Sequence, residues 1–265
     1  MIGYGNSLFL ATHGILARSG SGPSFDPNAQ SFITTAGITN PTQQNAINAL
    51  VVDLKAYGIW TKGFAFYPYV GGTSSTHSYN LKNPAQYQIN WSGGITHSSN
   101  GVLFGGVNGY GNTNFRSNLF TSANNFGLSS YVRNNNDAGG DIGVFAPDLR
   151  YVASRLSGFS YFGIGNTYIA GATTNSQGFW NINRTSASVV KAFKNGSSFA
   201  TGTTGAGTLS SENLFVGALN QSSSANYYTG KEHSFDAIHD GLTDAEAANF
   251  YTAVQAFQTT LGRQV

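Results

Sequence analysis

The chain has 265 residues with 40% hydrophobic and 14% aromatic content, enough for a large core, yet only 9% are charged against roughly 25% in ordinary soluble proteins. A net charge of +2, from 13 basic residues scattered along the chain, leaves no positive face for nucleic acid or an anionic membrane. The lack of cysteine removes disulfides, thiolate nucleophiles and thiolate-bound zinc together.

Residues 1–40 read as an N-terminal arm. Gly3, Gly5, Gly14, Gly20 and Gly22 punctuate it, and Ser19 to Pro23 cannot hold regular structure. The apolar run Leu8 to Ala17 is broken by Thr12, His13 and Gly14. It is too short to span a bilayer and lacks the basic flank of a signal peptide. Leu8, Phe9 and Leu10 find no partner nearby, so the arm is either a docking segment or a strand covering the main domain.

Residues 41–58 are expected to form an amphipathic helix. Asn40 suits the N-cap, Pro41 the first helical position, and Gln43 can complete a capping box. Ile47, Leu50, Val51, Leu54 and Tyr57 share one stripe, and Gly58 is a natural stop. The stripe packs on the main domain or, with Leu8, Phe9 and Leu10, supplies an attachment or oligomer contact through Ile47, Leu50 and Leu54.

From Ile59 the apolar period changes to two, which assigns residues 59–265 to a β-rich domain. Short runs such as Leu128–Arg133, Ile142–Phe145, Phe159–Ile164, Phe179–Arg184, Val189–Lys194, Leu214–Leu219 and His233–Ile238 alternate with Asn, Gly and Ser clusters. That rhythm indicates an antiparallel sandwich or barrel. Asn195-Gly196 is a strong hairpin-turn dipeptide. A closing helix over 243–261 has a Thr243/Glu246 capping box, an apolar stripe through Ala247, Phe250, Val254 and Phe257, and Gly262 as its stop.

Catalytic constellations are sparse. There are three glutamates, Glu212, Glu232 and Glu246, the last being a helix cap. Glu232 and Asp236 would share a strand face but stand about 13 Å apart, beyond the separation a glycosidase uses. No Gly-x-Ser-x-Gly elbow or phosphate-binding loop occurs, and none of the five histidines has an i, i+4 partner. The expectation is a protein without enzymatic activity. His77 and His97, in Ser/Thr-rich loops, are candidates for surface recognition. Tyr227 and Tyr228, in a Ser/Asn loop, are candidates for stacking on sugars. Asp137 and Asp141, within Asn134 to Asp141, form a candidate calcium site, although a turn of that composition would arise anyway. No other cofactor is indicated.

The second half carries an ordered set of features. Gly178-Phe179-Trp180-Asn181-Ile182-Asn183-Arg184 precedes Val189 to Gly196. Asn213-Leu214-Phe215-Val216-Gly217 follows, and Phe235-Asp236-Ala237-Ile238 leads into Leu242-Thr243-Asp244-Ala245-Glu246. This order, spanning about residues 60 to 250, resembles the concanavalin A-like/laminin G-like superfamily. It implies a mainly β fold, an antiparallel two-sheet jelly-roll sandwich with an N-terminal arm and helix and a C-terminal helix. The catalytic and metal carboxylates of that family do not map onto this chain.

Tyr57 to Lys62, Tyr67 to Thr73, Asn80 to Pro84 and Tyr251 to Val265 resemble sandwiches of tailed-bacteriophage and prophage structural proteins. That resemblance implies a non-enzymatic virion structural or decoration protein of the head, fibre, tail or baseplate. It would be homo-oligomeric, in contact with other virion proteins, and attached through the arm and first helix. The alternative is a carbohydrate-binding module for host glycans or mucus, and a polysaccharide hydrolase ranks third.

Overall fold

The structure, a computed structural model, describes residues 25–203 and 205–265. It opens with helix α1 (Pro27–Ala36), where an arm was expected. The Asp26 carboxylate caps it, accepting from the Asn28 amide at 2.9 Å, and Gly37 closes it in the left-handed region. Ala29, Phe32, Ile33 and Ala36 fall on one stripe and are buried, which is what makes this segment helical rather than extended. Leu8, Phe9 and Leu10 lie outside the described residues.

Helix α2 (Pro41–Ala56) begins as the sequence indicates, with Asn40 accepting from the Gln43 amide at 3.1 Å. The Gln43 side chain does not return to the cap. It accepts instead from the Gly71 amide at 3.1 Å, tying the helix to the β domain. Ile47, Leu50 and Leu54 are fully buried, which corrects the expectation that they form an attachment surface. Their stripe is consumed by the fold's own core.

The remaining elements are β1 (Gly63–Tyr67), the one-turn helix α3 (Ser74–His77), β2 (Asn90–Ser92), β3 (Ile95–Ser98), β4 (Gly101–Phe104), β5 (Tyr110–Arg116), β6 (Phe126–Val132), β7 (Ile142–Ala146) and β8 (Arg150–Leu156). After them come β9 (Phe159–Gly163), β10 (Tyr168–Ala172), β11 (Gly178–Arg184), β12 (Val190–Lys194), β13 (Ser197–Gly202), β14 (Asn213–Val216), β15 (Leu219–Gln221), β16 (Ser224–Asn226), β17 (Glu232–His239) and α4 (Asp244–Thr260). One sheet runs β13-β12-β11-β6-β17-β4-β3, with β1 also on β17. The other runs β10-β9-β8-β7-β14-β5-β2, with the β15–β16 hairpin joined to β7. The ladders are antiparallel except where β15 lies parallel to β7. The fold is therefore a mainly β, two-sheet sandwich.

Two cores result. Between the sheets, Leu128, Trp180, Ile182 and Ile238 meet Phe115, Val144, Val152, Phe162 and Val216. On the outer face of the first sheet, Tyr131, Phe179, Phe235 and Ala237 are covered by the buried stripes of α1, α2 and α4. Strands β6 and β11 are thus buried at every position, because they have a core on both sides. Asn195 and Gly196 both take left-handed φ, 50° and 74°, in the tight turn joining β12 to β13. The Thr243/Glu246 box starts α4, and Glu246 also pairs with Lys62 at 2.7 Å. Among the described residues no helix is long and apolar enough to cross a membrane.

Candidate functional site

Since α1, α2 and α4 all cover the first sheet, among the described residues no long helix covers the outer face of the second, whose β7 also pairs with the short β15–β16 hairpin. Strand alternation decides what that face shows. Val144, Val152 and Phe162 point into the sandwich, so their neighbours Phe145, Tyr151, Ala153 and Tyr161 point out. Together with Leu156, Tyr168, Leu219 and Tyr227 they line an open cleft of about 170 Å³. Phe145 and Tyr227 sit 4.8 Å apart between ring centroids, Tyr161 and Tyr168 5.4 Å, and Phe145 and Tyr151 5.8 Å. None of the lining residues is charged. Tyr168 and Tyr227 remain 51% and 43% exposed.

Tyr227 holds φ at 54°. A bulky residue in the left-handed region costs on the order of 1–3 kcal/mol, and such strain tends to be kept where a side chain must be aimed. Here it aims the ring over Phe145. Burial, with Tyr168, Tyr227 and Tyr161 close by, pushes the Tyr151 hydroxyl above the usual phenol range, so it stays a hydrogen-bond donor.

The same face turns polar on β14 and β5. Leu214 and Phe115 point inward, so Asn213, Phe215, Asn112 and Arg116 point out. With Ser211, Glu212, Asn220 and Ser223 they line a second cleft of about 220 Å³. The Glu212 carboxylate accepts from Asn220 Nδ2 at 3.0 Å and from Ser223 Oγ at 3.0 Å. Asn220 Nδ2 also donates to the Asn213 carbonyl at 2.8 Å, which fixes the amide's orientation. Tyr110 packs on Phe215 at 4.8 Å, and Tyr228 approaches Tyr110 at 6.4 Å. Consecutive residues therefore serve different clefts: Leu219 and Tyr227 the aromatic one, Asn220 and Tyr228 the polar side.

The sequence candidates scatter. Tyr227 lies in the aromatic cleft and Tyr228 outside it. His77 is buried, which corrects its assignment to surface recognition. Helix α3, capped by Thr73, turns the ring inward onto Tyr69 at 5.7 Å. Its Nε2 accepts from the Gly72 amide at 3.2 Å, so neutral His77 carries its proton on Nδ1 and donates to His97 Nδ1 at 3.0 Å. Burial, then His97 and Arg263, hold the His77 pKa down to about 3. His97 is half-buried against Trp91 at 4.9 Å.

Asp137 accepts from the Gly158 amide and pairs with Arg155 at 3.3 Å. Asp141 is fully buried, ion-paired to Lys231 at 3.1 Å, and accepts from the Ser154 amide. The two candidate calcium ligands are thus already engaged by separate partners. Among the described residues no group of three or more His, Cys, Asp or Glu side chains is placed to hold a metal ion.

Sequence reasoning missed the buried polar chain around Asp141. His233 stands 3.3 Å from Asp141 and 3.0 Å from Asp236, which also accepts from Tyr69 at 2.7 Å and Ser130 at 2.5 Å. Burial alone would depress His233, but Asp236 and Asp141 outweigh it and raise its pKa to about 9. Two carboxylates facing Lys231 and a protonated His233 leave the interior neutral. Asp141, Lys231, His233, Asp236, Ser130 and Tyr69 are all buried.

No protein-family model and no curated protein matches the chain. Solved structures match in fold. A mutant of Trypanosoma rangeli sialidase displaying trans-sialidase activity is 11% identical over 81% of this chain and 39% of its own, with a TM-score of 0.56. The binding domain of botulinum neurotoxin DC in complex with rat synaptotagmin II is 12% identical over 74% of this chain and 52% of its own, with a TM-score of 0.50. Domain 4 of AbnA, an extracellular arabinanase from Geobacillus stearothermophilus in complex with arabinotriose, is 15% identical over 71% of this chain and 98% of its own, at a TM-score of 0.43. This chain spans well under two thirds of the sialidase and toxin chains. At these identities the likeness is one of fold.

Proposed function

We propose that this chain is a non-catalytic, lectin-like sandwich that binds glycans on the outer face of its second sheet. The observation that carries the reading is the cleft of Tyr151, Tyr161, Tyr168, Tyr227 and Phe145, open, uncharged and with Tyr227 held in strained backbone. Sugar rings present apolar C–H faces edged by hydroxyls. Exposed aromatic faces with phenolic donors at their rims complement both parts. The likeness in fold to part of a sialidase chain is compatible with this reading.

A binding rather than hydrolytic role is supported by the carboxylates. Glycosidic cleavage needs two of them flanking the bond. Glu232 is held by Arg133 at 2.6 Å, Asp236 is fully buried, and none lines the aromatic cleft. The virion setting rests on sequence resemblance alone and adds nothing to the site.

A glycan array probed with the wild type and with the Tyr168→Ala/Tyr227→Ala variant tests the reading. Both rings are partly exposed, so the variant should fold normally. Binding to at least one glycan series, lost in the variant, is expected. No hit for the wild type, or undiminished binding by the variant, overturns it.

A further inference from the structure

We propose that the buried pair of Lys231 and Asp141 is a self-modification site, where the folded chain condenses the two side chains into an amide (isopeptide) bond that staples its two sheets. Asp141 belongs to the second sheet, its amide donating to the Val152 carbonyl and its carbonyl accepting from the Gly217 amide, both at 2.8 Å. Lys231 belongs to the first, its carbonyl accepting from the Phe104 amide at 3.1 Å. The bond closes a long loop, from residue 141 to residue 231, in a chain that has no cysteine for a disulfide.

The groups around the Asp141 carboxylate stand as acyl transfer requires. Lys231 Nζ, the nucleophile, lies 3.1 Å from Oδ1 and also donates to the Gly139 carbonyl at 3.3 Å. His233 Nε2, the proton carrier, lies 3.3 Å from the same oxygen, and its Nδ1 is fixed by Asp236 at 3.0 Å. The Ser154 amide donates to Oδ2, where negative charge develops during attack. Asp141, Lys231 and His233 are fully buried, so the water that would oppose condensation and hydrolyse its product is kept away.

Burial alone would raise the Asp141 pKa, but Lys231 and His233 outweigh it and hold it down to about 2, so the ion pair is the resting state and the reactant. Burial holds Lys231 below the ordinary lysine value, which eases the loss of its proton. That proton passes from Nζ to Oδ1 and leaves a free amine beside a neutral carboxyl. The amine lone pair then bonds to Cγ while the carbonyl electrons move onto Oδ2. Protonated His233 gives its Nε2 proton to Oδ1, the Cγ–Oδ1 bond breaks, and water departs as the carbonyl reforms. His233 takes back the extra proton from Nζ. One ammonium and one carboxylate become one amide and one water, with no oxidant, reductant or co-reactant.

Intact mass spectrometry of the denatured whole chain, fresh and after prolonged incubation in the folded state, tests this. A species lighter by one water is expected, and its share should grow with time. Its tryptic digest should contain a branched peptide joining the Asp141 and Lys231 segments, with no cleavage after Lys231. Lys231→Met should keep its full mass, and His233→Gln should form the bond at least about tenfold more slowly. An unchanged wild-type mass at every time overturns the proposal. So does water loss confined to Asp240-Gly241, a dipeptide prone to cyclic imide formation, with trypsin still cutting after Lys231. Bond formation by His233→Gln at the wild-type rate overturns the proton step assigned to His233.

Discussion

Replacing Lys231 by Met removes the cation from the interior and keeps most of the side-chain volume. Lys231 Nζ lies 3.1 Å from Asp141 Oδ1, and neither residue is exposed. At an effective dielectric of about 20, a unit pair at that distance is worth about 5 kcal/mol. Loss of one partner from a buried pair costs about 3–5 kcal/mol. His233, 3.3 Å from the same oxygen, continues to compensate Asp141, which puts Lys231→Met at about 3 kcal/mol, the lower end of that range. For a chain of this size that is a fall of roughly 6–12 °C in Tm.

Urea unfolding followed by tryptophan fluorescence reads the change, with Trp180 buried in the core as reporter. Asp141→Asn strands Lys231 and should also destabilise, but Lys231→Met/Asp141→Asn should be more stable than the sum of the single losses implies. A loss under about 1 kcal/mol in Lys231→Met, or strict additivity in the double variant, would refute the view that this pair holds the two sheets' interior neutral.

Thermal stability should peak near pH 6.5. The raised pKa of His233, about 9, makes its contribution complete below the ordinary histidine value of 6.5 and lost as pH climbs through 9. His77 and His239, held down mainly by burial to about 3 and about 4, contribute fully above 6.5 and lose that contribution as pH falls. A Tm that is flat between pH 6.5 and 9.5, or an alkaline limb that survives His233→Gln, contradicts this. Phe250→Ala should cost about 3–5 kcal/mol, because it empties the space among Phe66, Phe179, Phe235 and His239, and a loss below about 1 kcal/mol in denaturant would count against the helix-covered core. Gly196→Ala should cost about 1–2 kcal/mol through its left-handed φ and a Cβ placed 3.2 Å from Ala248 Cα; an unchanged midpoint would reject the turn assignment.

Capping and turn chemistry were readable because they are local. Thr243 with Glu246, Asn40 before Pro41 and Asn195-Gly196 each satisfy or shape the backbone within a few residues of themselves. Helix α1 escaped notice because the Gly/Ser run ahead of it dominates the local pattern, although Asp26-Pro27 is a start signal. Strand β5 escaped because only Phe115 among its inward residues is large and apolar, with Gly111 and Thr113 as the others. Strand β8 begins with a buried Arg150, legible only once Asp148 is seen beside it.

The site was harder for a different reason. Tyr227 stood out as difficult to place in a core, but Tyr151, Tyr161 and Tyr168 sit on strands, where most tyrosines of such a domain are expected to be core or cross-strand pairs. Whether helices cover their face depends on where those helices settle, and among the described residues all three long helices pack on the other sheet. That choice is made by the stripes of α1, α2 and α4 packing together, at sequence separations of up to about two hundred residues, which no local period reports. His77 failed similarly: its Ser/Thr-rich surroundings suggested surface, while the single turn of α3 rotates it inward.

The central claim, that glycans bind on the outer face of the second sheet, is tested most directly by aromatic proton–carbon correlation spectra of the chain titrated with the strongest array glycan. The account predicts that ring signals of Tyr161, Tyr168 and Tyr227 shift together with one saturation curve. Shifts confined to residues on the helix-covered side, with those three rings silent, would contradict it.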